Sequence, residues 1–299
     1  MQETQYIWQN GKMLPWAEAK VHVLTHTLHY GGGAFEGIRF YETDRGPAIF
    51  RLKEHIERLI YSARVVGMTL AFSADELFEA VKEVVKVNKI NEGYIRPIVF
   101  YGYGKMGVNP TGAPTEVVIA CWPWEKYLPH SCVAIKTSGY IRIHPRSTRV
   151  DAKLCGHYVN SILAALEVQG TRFQEAIFLD EAGYISEGVG ENFFCVKDNI
   201  IYTPPLGSIL PGITRDTVMK LAKSLNIKVE EKNISLSEAY LADEAFLSGT
   251  AVEITAVGSI DDNQIGTGET GPLTAKIQKA YYDTVHGKNA EHANFLTYV

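Results

Sequence analysis

Hydrophobic positions alternate with polar ones in short runs along the first third of the chain. Tyr6-Ile7-Trp8 and Lys12-Met13-Leu14 flank Asn10-Gly11, a pair suited to a tight turn, which predicts a β-hairpin. Residues 37–41 and 48–50 predict a second strand pair around Asp44-Arg45-Gly46. From Leu52 the spacing lengthens: Ile56, Leu59 and Ile60 recur at helical intervals. Ser73 and Glu76 form a capping-box pattern ahead of Leu77, Val81, Val84 and Val85, predicting another helix. Residues 94–101 and 116–121 read as buried strands.

The second half predicts strands at 132–137 and 175–179, and helices at 160–168, from near Thr214, after Ser235 and over 272–285. Ser235 and Glu238 repeat the capping pattern. Strands and helices follow one another irregularly, without regular strand–helix–strand alternation. That predicts a mixed α/β (α+β) protein rather than a doubly wound one. The texture changes at Trp122-Pro123-Trp124, and the expected division is a domain over 1–124, a connecting loop over 125–132 and a second domain over 133–299.

Composition excludes several classes. In 299 residues, hydrophobic types make up 46% and charged types 21%, which leaves enough apolar surface for a core and excludes global disorder. The net charge of −5 argues against a nucleic-acid-binding role. Cys121, Cys132, Cys155 and Cys195 lack disulfide-scaffold or zinc spacing, so no metal is expected. The Met-Gln-Glu-Thr-Gln start and the lack of a long apolar run predict a cytoplasmic protein with no membrane span.

A few segments carry possible chemistry. His29-Tyr30-Gly31-Gly32-Gly33-Ala34-Phe35-Glu36-Gly37 fails the dinucleotide pattern, because Glu36 stands where a third glycine is needed. It predicts a turn with a left-handed glycine, or a loop whose backbone a small ligand approaches. Leu210-Pro211-Gly212-Ile213-Thr214 precedes a helix whose first turn suits an anion. Ser248-Gly249-Thr250-Ala251 ends an apolar strand and offers amides and hydroxyls. Lys153 stands before a stretch, 154–166, that holds no Asp, Glu, Lys or Arg. A lysine beside apolar neighbours loses its proton more readily and becomes a nucleophilic amine. Tyr94 and Arg96, two apart on one strand, share a face, and an arginine there calls for an anionic partner.

Taken together, these motifs resemble the branched-chain amino acid aminotransferases, class IV and fold type IV among pyridoxal-phosphate enzymes. The resemblance is carried by His29-Tyr30-Gly31, Phe35-Glu36-Gly37-Ile38-Arg39, Tyr94-Ile95-Arg96-Pro97, Gly107-Val108-Asn109-Pro110, Lys153 with Tyr158, Ile185-Ser186-Glu187-Gly188, Pro211-Gly212-Ile213-Thr214-Arg215 and Ser248-Gly249-Thr250-Ala251. It covers nearly the whole chain in the family's order.

What the resemblance implies is a two-domain fold type IV protein that uses pyridoxal 5'-phosphate. It transfers the amino group of leucine, isoleucine or valine to 2-oxoglutarate. Lys153 is the implied Schiff-base lysine and proton-transfer base, and Tyr158 and Glu187 face the cofactor's phenolic oxygen and ring nitrogen. Arg58, Ile213, Thr214 and Thr250 take the phosphate, and Leu210 packs on the ring. Tyr94 with Thr250 and Ala251 takes the α-carboxylate. Tyr30, Phe35, Gly37, Arg39, Arg96 and Tyr127 form the side-chain pocket, with Tyr30 lent by a second subunit of a homodimer. The implied partners are small molecules, with no nucleic acid and no membrane. In one respect the chain departs from the family: Gly32-Gly33-Ala34 replaces a Thr or Ser, a small residue and a Val. The smaller side chains predict a wider pocket wall, and hence an alternative of broadened specificity toward D-amino acids or (R)-amines. A non-catalytic small-ligand binder on the same fold is the alternative from outside the enzymes.

Overall fold

A computed structural model describes residues 2–124 and 132–299. Two compact units emerge from its contacts. One comprises residues 2–124 with Ala152–Gly156 and Thr284–Val299; the other comprises 132–151 and His157–Asp283. Tyr127 and most of the expected connecting loop lie outside the described residues.

The first unit is built on an eight-stranded sheet. Its order is Leu296–Tyr298, Ala48–Phe50, Ile38–Tyr41, Gly93–Tyr101, Thr115–Trp122, Tyr6–Gln9 and Lys12–Pro15, with Gly33–Phe35 also paired to Gly93–Tyr101. Every pairing is antiparallel. The hairpin forms at the expected place: Asn10 and Gly11 both take positive φ, 49° and 87°, as a two-residue turn of matching twist requires. The helices Leu52–Val65 and Ala74–Asn88 supply Ile56, Leu59, Leu77, Val81 and Val84 to one core with Ile38, Phe40, Ile95 and Ile119. Ser73 Oγ accepts from Glu76 N–H while the Glu76 carboxylate accepts from Ser73 N–H, completing the capping box.

The second unit holds nine strands in a mixed sheet. The order is Ile185–Gly188, Glu175–Leu179, Cys132–Ile141, Glu253–Ile260, Glu244–Gly249, Asn192–Lys197, Ile200–Thr203 and Val229–Glu231, and Asn263–Gln264 pairs with Glu253–Ile260. Cys132–Ile141 runs parallel to both of its neighbours. Ile185–Gly188 also pairs with Asn192–Lys197, which closes six strands into a ring. One core cluster gathers Val133, Ile177, Phe193, Leu247 and Val257 with Ile234 and Ala239. The helix Leu236–Tyr240 starts on the second capping box.

The apolar stretch after Lys153 behaves differently from its expectation. Within the helix Tyr158–Val168, residues Val159, Ile162, Leu163 and Leu166 lie exposed. Their spacing puts them on one helical stripe. They therefore form an exposed apolar face of that helix.

Candidate functional site

In the first unit the site begins with the strap Ala152–Gly156. Lys153 N–H donates to Ser62 Oγ at 2.9 Å, and Lys153 C=O accepts from Phe35 N–H at 3.1 Å. Ala34 and Leu154 complete the pairing as an antiparallel bridge. The main chain of Lys153 is thus fixed from a helix on one side and a strand on the other. Its Nζ stands 5.2 Å from the centre of the Phe35 ring, an apolar neighbour from outside the downstream run.

Beside the strap lies a buried ionic cluster that motif reading misses. Glu36 is fully buried, and its carboxylate accepts from Arg58 Nε at 2.6 Å, Arg58 Nη2 at 2.9 Å and His55 Nδ1 at 2.7 Å. Burial by itself would raise the Glu36 pKa, but the charge of Arg58 and the hydrogen bonds from both partners hold it well below the ordinary carboxylate range. Burial lowers His55, so the imidazole is neutral at pH 7 and donates from Nδ1. Phe35, whose N–H bonds Lys153 C=O, directly precedes Glu36, which places the lysine's main chain next to this cluster. Arg58, expected as a phosphate ligand, is therefore oriented by Glu36.

Gly37, Tyr94, Phe35 and Arg96 do come together. A Cβ at Gly37 would fall 1.9 Å from Tyr94 Oη, so only glycine lets the phenol seat there. Tyr94 packs against Trp122 and Trp124, with ring centres 5.4 and 4.7 Å away. Arg96 Nη2 donates to Tyr94 Oη at 3.5 Å, and its guanidinium covers the Phe35 ring at 4.8 Å. Arg39 sits opposite Tyr94 in the strand register, yet its Nη2 pairs with Glu92 at 2.9 Å and its guanidinium covers Tyr41. Tyr30 is half exposed at the end of the short helix His26–Tyr30, where its hydroxyl accepts from Gly107 N–H. Gly31 takes the expected positive φ, 68°.

The space beside Gly32 and Gly33 is filled. A Cβ at Gly33 would lie 2.9 Å from Cys155 Sγ and 3.0 Å from Thr27 Cγ2; one at Gly32 would lie 3.3 Å from the Tyr101 ring. The volume those side chains vacate is occupied by Cys155, Thr27 and Tyr101.

In the second unit Glu187 is buried and held through both oxygens. Oε1 accepts from Arg142 Nε at 2.5 Å; Oε2 accepts from Leu210 N–H at 3.0 Å and Asn192 Nδ2 at 3.3 Å. The register shift between Ile185 and Gly188 turns Glu187 away from the face that Ile185 gives to the core. The sequence holds no local cue to Arg142 or Asn192, because their partners are 45 and 5 residues away and meet only through strand pairing. Leu210, through its main chain, thus belongs to the Glu187 group. Asn192 Nδ2 also donates to Leu210 C=O at 3.0 Å.

The helix Ile213–Ser224 starts at the expected place, with Gly212, which has no side chain of its own, as N-cap. Its own ladder begins with Asp216 N–H donating to Gly212 C=O. The first-turn amides of Ile213 and Thr214 precede that ladder, as in any helix start that attracts an anion. Arg215 of the same motif is structural: it is buried, donating to Pro204 C=O at 2.9 Å and pairing with Glu231. Thr250 and Ala251 form the turn after Glu244–Gly249, and Tyr158, half-buried, opens its helix. Among the described residues, no His, Cys, Asp or Glu cluster could hold a metal ion, and no helix is long and apolar enough to cross a membrane.

Residues 33–260 match the family described as Amino-transferase class IV. A branched-chain-amino-acid aminotransferase of Pseudomonas aeruginosa is 45% identical over 297 residues, covering 98% of this chain and 97% of its own. The Escherichia coli K12 protein of the same name is also 45% identical, with 99% and 98% covered. The crystal structure of a T.th. branched-chain amino acid aminotransferase complexed with N-(5'-phosphopyridoxyl)-L-glutamate superposes with a TM-score of 0.97 at 44% identity, covering 100% of this chain and 99% of that one. The chain belongs to this class IV family, on the branch of the branched-chain-amino-acid aminotransferases.

Proposed function

We propose that this protein transfers the amino group of L-leucine, L-isoleucine or L-valine to 2-oxoglutarate, releasing a branched-chain 2-oxo acid and L-glutamate in a ping-pong cycle. The cofactor is pyridoxal 5'-phosphate, whose protonated ring withdraws electrons from the carbon undergoing proton loss. The donor set suits it: an amine at Lys153, a carboxylate at Glu187 and a helix start at Ile213.

Lys153 Nζ anchors the cofactor and then acts as the base that takes the proton from the substrate Cα. Its bonds to Ser62 and Phe35 hold its main chain while the side chain moves. Glu187 keeps the ring nitrogen protonated, since an adjacent carboxylate favours the charged form. Arg142 and the Leu210 amide keep that carboxylate in one orientation. Tyr158 donates toward the phenolic oxygen. Arg58, the amides of Ile213 and Thr214, and Thr250 bind the phosphate, and the Leu210 side chain packs on the ring. Tyr94 and the Thr250–Ala251 main chain orient the substrate carboxylate. Phe35 and Gly37 accept an apolar side chain, while Arg96, with Tyr127 and Tyr30, accepts the second carboxylate of glutamate. The filled space at Gly33 supports strict rather than broadened specificity.

The working unit is a homodimer in which Tyr30 serves the neighbouring subunit. Val23, Leu28, Tyr103, Met106 and Val108 are exposed in the same unit as Tyr30, apolar surface of the kind a subunit contact covers. A cytoplasmic location suits the four unpaired thiols.

The observation that carries the reading is the fixed Lys153 strap beside the buried Glu36–Arg58–His55 cluster. Borohydride treatment of the yellow holoprotein is expected to trap cofactor mass on the peptide containing Lys153. Lys153→Ala is expected to lower the turnover of L-leucine with 2-oxoglutarate by at least about a hundredfold. A Lys153→Ala protein with undiminished turnover overturns the assignment.

A further inference from the structure

A row of polar residues crosses three adjacent strands of the second unit. Glu187 pairs directly with Asn192, and Asn192 pairs directly with Ser248. Residues opposite one another in register share a sheet face, so all three side chains point the same way. Phe194 and Phe246, the next pair on that face, stack with centres 4.8 Å apart. The row is therefore a continuous surface whose far end is Ser248.

Glu187 and Asn192 are satisfied, but Ser248 is not. The residue is 1% exposed, and its Oγ has no hydrogen-bond partner in the structure. Neighbouring buried hydroxyls do find carbonyls: Thr203 donates to Phe193, Thr217 to Ile213 and Thr255 to Val252. A buried hydroxyl with nothing to bond is costly, and alanine would pack there without that cost. The position of Ser248 suggests what it serves. Asn192 touches the start of the helix Ile213–Ser224, since a Cβ on Gly212 would fall 1.9 Å from Asn192 Oδ1. Ser248 is one strand over from that contact, on a strand that packs against this 12-residue helix.

We propose that Ser248 is an additional phosphate-binding residue, its hydroxyl donating to the cofactor phosphate at the start of the helix Ile213–Ser224. This rests on the reading of that helix start as the phosphate site. The unpartnered hydroxyl and the helix start then share one anion.

The test compares apoprotein of the wild type, Ser248→Ala and Thr250→Val, titrated with pyridoxal 5'-phosphate and with pyridoxal, and melted without ligand. Ser248→Ala is expected to weaken pyridoxal 5'-phosphate binding roughly tenfold, the size of one hydrogen bond to a charged group. It is expected to leave pyridoxal binding within about twofold and the apoprotein melting point unchanged or higher, because no internal bond is lost. Equal weakening of both ligands, an unchanged pyridoxal 5'-phosphate affinity, or a lowered apoprotein melting point overturns the proposal. A separate pattern identifies failure of the underlying reading: the wild type and Thr250→Val both binding the two ligands alike. Selective weakening in Thr250→Val but not in Ser248→Ala leaves the phosphate site standing and removes Ser248 from it.

Discussion

Replacing Glu36 with glutamine probes the ionic cluster beside Lys153. The carboxylate accepts from Arg58 Nε, Arg58 Nη2 and His55 Nδ1 at 2.6, 2.9 and 2.7 Å. A glutamine keeps one acceptor oxygen and puts an NH2 group where the other donors point. Two charge-assisted bonds from Arg58 become at most one, and hydrogen bonds to charged groups contribute about 1.5–3 kcal/mol each. Arg58, only 11% exposed, is left without its buried counter-charge. Removing one partner of a buried ion pair costs about 3–5 kcal/mol. The melting point of the apoprotein should fall by about 6–20 °C, at about 2–4 °C per kcal/mol. Urea unfolding followed by tryptophan fluorescence, repeated across pH, measures the loss directly. Because folding lowers the Glu36 pKa, its contribution is complete above the ordinary value of 4.5 and is lost as pH falls toward the lowered one. The gap between wild type and Glu36→Gln should be full at neutral pH and narrow in acid. A loss below about 1 kcal/mol at neutral pH, or a gap that widens in acid, refutes the reasoning.

Gly37→Ala should displace Tyr94 and raise KM for L-leucine at least about tenfold, while cofactor absorbance stays normal; an unchanged KM refutes the Tyr94 seating. Arg96→Leu should depress activity with 2-oxoglutarate far more than with branched-chain 2-oxo acids, and equal losses in a substrate panel would count against the assignment. Burial, with the neighbouring charge of Glu191, raises the Glu175 carboxyl well above its ordinary value. The folded protein therefore holds a proton that the unfolded chain releases, and stability declines as pH rises through that window. Glu175→Gln should flatten the fall in melting point between about pH 6 and about pH 9, and a slope equal to that of the wild type would contradict this.

Much of the architecture is legible in the chain because it is local. Asn10-Gly11 sets a turn within two residues, and Ser73 with Glu76 and Ser235 with Glu238 set helix starts within four. The edge strand Leu296–Tyr298 is not legible: it is three residues long and is a strand only through its pairing with Ala48–Phe50. The site divides the same way. Lys153 and Glu187 stand out by motif, whereas Ser62, His55, Arg142 and Asn192 gain their roles from partners that only folding brings near. The run 154–166 shows the opposite failure, since Val159, Ile162, Leu163 and Leu166 lie on a helix stripe turned outward.

Ala152–Gly156 and Thr284–Val299 fold with the N-terminal unit, and this sets the order of assembly during synthesis. Lys153 is made 91 residues after the Ser62 it lies against, and Leu296–Tyr298 follows the whole second unit before it can pair with Ala48–Phe50. The domain translated first is thus completed last. Until then Ala48–Phe50 is itself the margin of the sheet, the kind of exposed edge that invites pairing with another chain. Truncations near the C-terminus should accordingly act on solubility through a strand that lies at the far end of the sequence from the edge it protects.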